Sequence, residues 1–202
     1  VDTYTDDNKC YVKVIDYKSG NQSFDIVAFY HGLKLQLLTY LNASMQYEKE
    51  QHPDKEVIPA GILYYHMDDP VVEGSEQTSI EEINEMIRKQ LRVTGVVNDN
   101  PEIIEKLDNS TGETLQVLPL RRKKDGSFYK TDMLVSKDDL DLLSSFVTKK
   151  IKDLGRDVLS GNIEARPYRK KNESGCDYCI YKNVCGFDTA IPGYRTYDIE
   201  EG

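Results

Sequence analysis

A carboxylate and an ammonium stand two residues apart in Val14-Ile15-Asp16-Tyr17-Lys18, and their types and spacing suit catalysis. In an extended strand, side chains two apart point to the same face. Asp16 and Lys18 would then stand together, while Tyr17 faces the other way and packs, offering only its backbone carbonyl. A hard cation such as Mg²⁺ takes carboxylate and carbonyl oxygens, so Asp16 and the Tyr17 carbonyl are its candidate ligands. An ammonium beside them can hold an attacking water, or help to deprotonate it, while the metal stabilises charge on a phosphate. The same tripeptide also occurs as a solvated strand edge, and these residues alone leave both readings open.

Two further groups qualify. Gln36 and Tyr40 lie four apart, which puts them on one face of a helix. The amide can bridge a phosphate oxygen and the carboxylate network, and the phenol can donate to phosphate. Equally, they fit an amphipathic helix with Gln at its rim and Tyr in the core. Near the other end, Cys176, Cys179 and Cys185 form a Cys-x₂-Cys-x₅-Cys run. Two thiolates three apart can bite one metal centre and a third can close over it, which suits zinc or an iron–sulfur cluster. Both normally take four protein ligands, and only three are local. Cys10 is the only other cysteine; it begins a strand of buried type and reads as a small core hydrophobe.

The elements that would position these groups follow from periodicity. Tyr11–Tyr17 is β-branched and aromatic, closed by Lys18-Ser19-Gly20, and with Val1–Thr5 and the Asp6-Asp7-Asn8 turn it predicts a hairpin. Residues 25–47 carry helical spacing, with Leu33, Leu37, Tyr40, Leu41 and Ser44 along one side. Val57–Tyr65 is a further apolar strand, stopped at Asp68-Asp69-Pro70. Ser79 and Glu82 make a capping-box signal for a polar helix to about Arg92, and Asn98-Asp99-Asn100-Pro101 opens a short helix to Leu107. Leu115–Leu120 and Phe128–Thr131 flank Lys124-Asp125-Gly126 as a hairpin. Arg121-Arg122-Lys123-Lys124 beside Phe128 and Tyr129 suits phosphate contact, base stacking or a solvated loop. Ser136 and Asp139 cap a long helix carrying Leu140, Leu143, Val147, Ile151, Leu154 and Val158, and Ser160-Gly161 ends it. Beyond that the chain reads as mostly irregular through Gly202. Strands alternating with helices give an α/β class. The expected division is a nuclease-type core over residues 1–160 and a cysteine-bearing tail over residues 161–202.

Bulk properties narrow the classes. The 202 residues carry 26 Lys and Arg against 35 Asp and Glu, a net charge of −9. That argues against a general nucleic-acid coat, whose affinity comes from neutralising phosphates. It is compatible with a nuclease, which needs carboxylates at its metal and only local positive charge in its groove. No apolar run approaches the roughly 20 residues of a membrane helix, and the start lacks a secretion signal. One isolated cysteine and a distant cluster of three make a poor disulfide framework, so a cytoplasmic metal or cluster site fits better. The three histidines, His31, His52 and His66, do not suggest a His-rich zinc site.

Asp-x-Lys on a strand, Gln-x₃-Tyr on the next helix and a terminal Cys-x₂-Cys-x₅-Cys together resemble the RecB-family nucleases of the PD-(D/E)xK superfamily. The wording is closer still to the carboxyl-terminal nuclease domain of the B subunits of bacterial AddAB-type helicase-nucleases. It lies in Val14-Ile-Asp16-Tyr-Lys18-Ser-Gly20, Gly32-Leu-Lys-Leu-Gln36-Leu-Leu-Thr-Tyr40-Leu-Asn-Ala43, Leu159-Ser-Gly-Asn-Ile163 and Cys185-Gly-Phe-Asp188. The resemblance runs from residue 1 to about 197.

It implies a restriction-endonuclease-like mixed sheet flanked by helices and a Mg²⁺-dependent DNA exonuclease module within an ATP-dependent helicase-nuclease. Such a machine processes double-strand breaks for recombinational repair, with the B subunit acting on the strand with the 5′ end. By the same resemblance Asp16 is a metal ligand, Lys18 the catalytic lysine, and Gln36 and Tyr40 the active-site helix motif. Cys176, Cys179 and Cys185 are three ligands of a four-iron four-sulfur cluster whose fourth cysteine lies upstream. The implied partners are DNA and the AddA motor-nuclease subunit in a heterodimer, with no membrane. The family pattern also has an earlier helix bearing His or Glu and a strand reading approximately Gly-x-Ile-Asp-Arg-x-Asp. Val1-Asp2 matches only the end of that strand, and Asp2 matches its second acid, a further metal-ligand candidate. The expectation is therefore that the principal metal-binding Asp and the first cluster Cys fall before residue 1, and that this stretch alone neither cuts DNA nor holds an intact cluster. Two other readings are a CRISPR-associated nuclease with the same cysteine tail, and a non-catalytic zinc-binding interaction module.

Overall fold

Alternating side chains and an Asx turn begin the fold. β1 (Asp2–Thr5) and β2 (Lys9–Lys18) pair antiparallel, and Asp6 Oδ1 closes the turn by accepting from the Asn8 and Lys9 amides at 3.2 and 2.8 Å. The hairpin is as the sequence predicts. The computed structural model describes residues 1–20, 22–67, 69–75 and 77–199. The expected stop at Asp68 and the last three residues of the tail lie outside the described residues.

The periodic stretch 25–47 is two helices instead of one: α1 (Ile26–Tyr30) and α2 (Gln36–Gln51). Gly32 at φ 90° and Lys34 at φ 55° interrupt it, since left-handed backbone cannot continue a right-handed helix. β3 (Glu56–His66) then pairs parallel to β2, a geometry that requires a crossover; α2 supplies it.

α3 (Ile80–Gln90) carries the expected reciprocal capping box between Ser79 and Glu82 and buries no residue. β4 (Thr94–Asn98), which the pattern did not reveal, pairs antiparallel to β3. α4 (Pro101–Leu107) starts at its Asn100 cap. β5 (Leu134–Val135) completes a mixed sheet of order β1-β2-β3-β4-β5.

Between α4 and β5 the expected hairpin is not a regular one. Only the bridges Thr114–Arg121 and Arg122–Phe128 form. Leu115, Leu118 and Leu120 all turn inward, and a strand cannot bury such a run while folding back at Leu118, whose carbonyl accepts from the Leu120 amide at 2.8 Å. The buried Asp108 carboxylate holds this loop by accepting from the Val117 and Leu118 amides at 2.7 and 3.0 Å and from the Ser110 hydroxyl.

α5 (Lys137–Leu159) begins at Ser136, whose Oγ accepts from the Asp139 amide at 3.1 Å, and ends before Gly161 at φ 76°. Of its apolar stripe, Leu140 and Val147 are fully buried, whereas Ile151, Leu154 and Val158 are exposed. The remainder forms β6 (Tyr168–Lys170), β7 (Glu173–Ser174), the one-turn α6 (Lys182–Cys185) and β8 (Tyr197–Asp198). The tail is thus less irregular than its composition suggests, because a three-stranded sheet of order β7-β6-β8 forms within it.

Two compact units result. The first comprises residues 1–24 and 35–148, and the second residues 25–34 and 149–202. In the first unit Leu37, Leu38 and Leu41 of α2 are buried, as are Val12, Val14 and Ile62 of the sheet. A separate cluster gathers Leu63, Val97, Ile104, Leu115, Leu118 and Leu120. Each such aliphatic side chain contributes about 1.5–3 kcal/mol when withdrawn from water. In the second unit α1 docks through the Asp25–Lys170 ion pair and through His31, whose Nδ1 lies 2.7 Å from the Tyr197 hydroxyl.

Candidate active site

All four groups singled out on the sheet edge and its neighbouring helix belong to the first unit, and they meet. Asp16 and Lys18 share one face at the end of β2, where Lys18 Nζ lies 2.8 Å from Asp16 Oδ2. Lys18 Nζ also donates to Gln36 Oε1 at 3.5 Å, and Gln36 Nε2 donates to the Tyr40 hydroxyl at 3.1 Å. The result is a continuous polar chain from carboxylate to ammonium to amide to phenol, with Tyr40 exposed at its outer end.

Two features of local structure make this possible. The break at residues 32–34 makes Gln36 the first residue of α2, where no side chain caps the helix. The unsatisfied amides and the positive end of the helix dipole therefore stand at the site, a favourable place for an anion. The second feature is a bulge: Val12 pairs with Pro59 but Lys13 with Gly61, so Ala60 is extra. Ile58 and Ala60 pack with Tyr11 and Ile103 on the far face. After the extra residue the alternation is rephased, and Tyr64, in register with Asp16, faces the site together with His66, in register with Lys18. Gly61 permits the close approach of β4 there, because a Cβ would stand 2.9 Å from the Val96 carbonyl oxygen.

Electrostatics sort the roles. The contact with Asp16 holds the Lys18 pKa above its ordinary value despite desolvation, so Lys18 is an ammonium at neutral pH. Burial, and secondarily the Asp16 charge, push the Tyr64 phenol up, so it stays protonated. Asp16 Oδ2 is buried with no hydrogen-bond donor aligned on it; the Lys18 contact is one of charge. A buried carboxylate oxygen with an open lone pair suits a hard cation. Among the described residues, however, no three His, Cys, Asp or Glu side chains stand close enough to hold a metal ion together.

The other sequence candidates are placed differently. Tyr17 does not pack away as expected; it is exposed, with its ring 5.6 Å from that of Tyr65. Asp2 is not brought to Asp16. Its carboxylate pairs with Lys13 Nζ at 3.3 Å, on the opposite face, where it helps to line a cavity of about 140 Å³ with Tyr4, Tyr11, Ile103 and Lys106. Cys176 is half-buried, Cys179 and Cys185 are exposed, and all three are free thiols that do not converge. Cys10 is fully buried, as expected of a core residue. In the basic loop, Arg121 and Arg122 are taken up by Glu113 and Glu105 at 2.7 and 3.3 Å. Sequence reasoning missed Tyr64, because its facing depends on the bulge and the pattern gives no sign of that.

The sequence pattern of the PD-(D/E)XK nuclease superfamily matches residues 1–186. The chain is 39% identical, over 96% of its length, to the B subunit of the ATP-dependent helicase/deoxyribonuclease of Lachnoclostridium phytofermentans. It is 37% identical over its whole length to the protein of the same description in Thermoanaerobacter sp. (strain X514), and 39% identical over 96% to that of Clostridium tetani. In each case it covers 17% of the relative, so it spans about one-sixth of the length of these curated relatives. Among the described residues no helix is long and apolar enough to cross a membrane.

Proposed function

Because this chain belongs to the PD-(D/E)XK nuclease superfamily, we propose that its sheet-edge site hydrolyses DNA phosphodiesters as the exonuclease module of a helicase-nuclease of the kind its relatives' names describe. The single observation that carries this reading is the polar chain Asp16–Lys18–Gln36–Tyr40 at the uncapped start of α2. Asp16 Oδ2 and the Tyr17 carbonyl would hold Mg²⁺, which when bound supplies charge neutralisation at the attacked phosphate and a more acidic water.

The chain's own groups do the rest. Tyr40 donates its exposed hydroxyl to a phosphate oxygen, and the free amides of α2 receive another. Gln36 fixes both neighbours, accepting from Lys18 and donating to Tyr40. Lys18, kept protonated by Asp16, holds the water by hydrogen bond and balances charge as its oxygen bonds to phosphorus. The P–O bond to the leaving nucleotide breaks, and the water's proton ends on the leaving oxygen. Tyr64, neutral and buried beside Asp16, keeps bulk water from that carboxylate.

The relatives' names supply the wider context: an ATP-driven cytoplasmic assembly with a motor subunit of the AddA type, acting on DNA ends, on the 5′ strand. The thiols of Cys176, Cys179 and Cys185 have the donor chemistry of a four-iron four-sulfur site, to be completed by convergence with a fourth ligand.

Degradation of end-labelled duplex DNA in Mg²⁺ and ATP by the assembled helicase-nuclease, with only this site active, tests the proposal. Asp16→Ala should lower cleavage by at least about 1,000-fold and Lys18→Ala comparably, with unwinding retained. Separately, Mn²⁺ titrated into the chain should bind the parent more tightly than Asp16→Ala. Undiminished cleavage by Asp16→Ala would refute the assignment.

A further inference from the structure

Among the described residues only two non-glycine positions have left-handed backbone, Lys34 at φ 55° and Lys171 at φ 51°. They are far apart in sequence, yet both line one cavity of about 560 Å³ in the second unit, with Tyr168, Lys170 and Asn172. Left-handed backbone disfavours any residue with a Cβ, and glycine or asparagine would occupy it at less cost. Lys171 opens the two-residue turn between β6 and β7, a place where glycine is ordinary. Lys34 lies in the break between α1 and α2. Strain that persists at two places around one cavity points to function there more than to packing.

The lining has a definite chemistry. Lys34, Lys170 and Lys171 outnumber Asp25 and Glu173 in a chain whose net charge is −9. Lys170 is tied to Asp25, which also caps α1 by accepting from the Ala28 amide at 2.9 Å. That pair braces the wall and leaves the positive balance to the two strained lysines. Tyr168 and Leu33 add an aromatic and an apolar surface. Cations beside an aromatic in a groove are the means by which single-stranded nucleic acid is held without regard to sequence: phosphates on the cations, a base on the ring.

We infer that this cavity is a secondary binding site for single-stranded DNA, with Lys34 and Lys171 on consecutive phosphates and Tyr168 against a base. The site takes its substrate class from the proposed nuclease reading but shares none of its residues. It gives the second unit a function independent of its cysteines.

The test is fluorescence anisotropy of a labelled oligothymidylate with this chain in EDTA, over a series of salt concentrations. Lys34→Gly and Lys171→Gly remove charge and relieve the backbone at once. Together they should weaken binding roughly fivefold to tenfold and flatten the log Kd against log salt plot by about 1.4, two phosphate contacts at about 0.7 each. Thermal stability should hold or rise, which separates lost contact from lost folding. Lys49→Gln, at an exposed position on α2, serves as the charge control and should change neither quantity as much. If the parent binds and the double variant matches it, the cavity is not the site and the nuclease reading is untouched. A parent that does not bind oligothymidylate also overturns the inference, while the Asp16→Ala cleavage assay still decides the nuclease reading on its own.

Discussion

The sheet-edge site and the cysteine tail make opposite use of short sequence motifs. Asp16 and Lys18 are two apart on a strand, Gln36 and Tyr40 four apart on a helix, and all four meet in one polar chain. Cys176, Cys179 and Cys185 are as tightly spaced, yet their thiols do not converge. Spacing becomes geometry only where backbone hydrogen bonds enforce a period and a core holds the element still. β2 lies between two strands and α2 buries Leu37, Leu38 and Leu41. The cysteine segment has only the one-turn α6, and Tyr178, Ile180 and Val184 around it are exposed at 98%, 84% and 84%. Its packing does not fix where its thiols point.

The strongest way to break this contrast is to loosen the helix at the site. Leu38, 1% exposed, should on truncation to Ala cost about 2–5 kcal/mol through lost burial and the cavity left behind. Denaturant unfolding followed by circular dichroism measures the loss. Activity should fall further than for a remote core truncation of equal cost, since Gln36 and Tyr40 ride on α2. A loss under about 1 kcal/mol would mean that α2 is not what holds the site rigid.

Much of this was legible in the residues. The hairpin bearing Asp16, the apolar β3, the capping box at Ser79 and the caps of α5 all announce themselves through period or turn chemistry. What stayed hidden depends on backbone events with no pattern of their own. The left-handed pair at residues 32–34 splits an apparently continuous helix and turns Gln36 from a mid-helix residue into the first of α2. The extra residue at Ala60 swings Tyr64 toward Asp16. β4 is short, with Gly95 in its middle, and escaped notice. In the loop after α4, inward-facing Leu115, Leu118 and Leu120 imitate strand residues, although a carboxylate organises them.

That loop lies between the two extremes and sharpens the comparison: irregular backbone can be fixed, provided a buried group satisfies it. Burial alone would push the Asp108 carboxyl up, but donors from Ser110, Leu118 and Val117 outweigh it and hold the pKa below its ordinary 3.8. A depressed carboxyl stabilises the fold above its unfolded-state value, and that contribution is lost as pH falls through the folded value. Asp108→Asn should therefore cost about 2 kcal/mol at pH 7, where charged acceptors are replaced by a neutral amide. The difference from the parent should shrink steadily below pH 3.8. A gap independent of pH would show that shape, and not charge, holds the loop.

The smallest effect belongs to the tail. Cys179 and Cys185 are exposed and Cys176 only half-buried, so with no metal added, serine at any of them should change unfolding free energy by less than about 0.5 kcal/mol, the range of surface substitutions. The picture should reverse on reconstitution with iron and sulfide in a protein that supplies the fourth ligand. Visible absorbance should appear in the parent and vanish in each serine variant, and the segment around Tyr178 and Val184 should gain protection from protease, because metal binding to a site not already formed is itself folding energy. If serine at Cys185 already destabilised the metal-free chain by more than about 1 kcal/mol, the thiols would be structural where they stand, and the contrast between a site built by its core and one awaiting its ligand would fail.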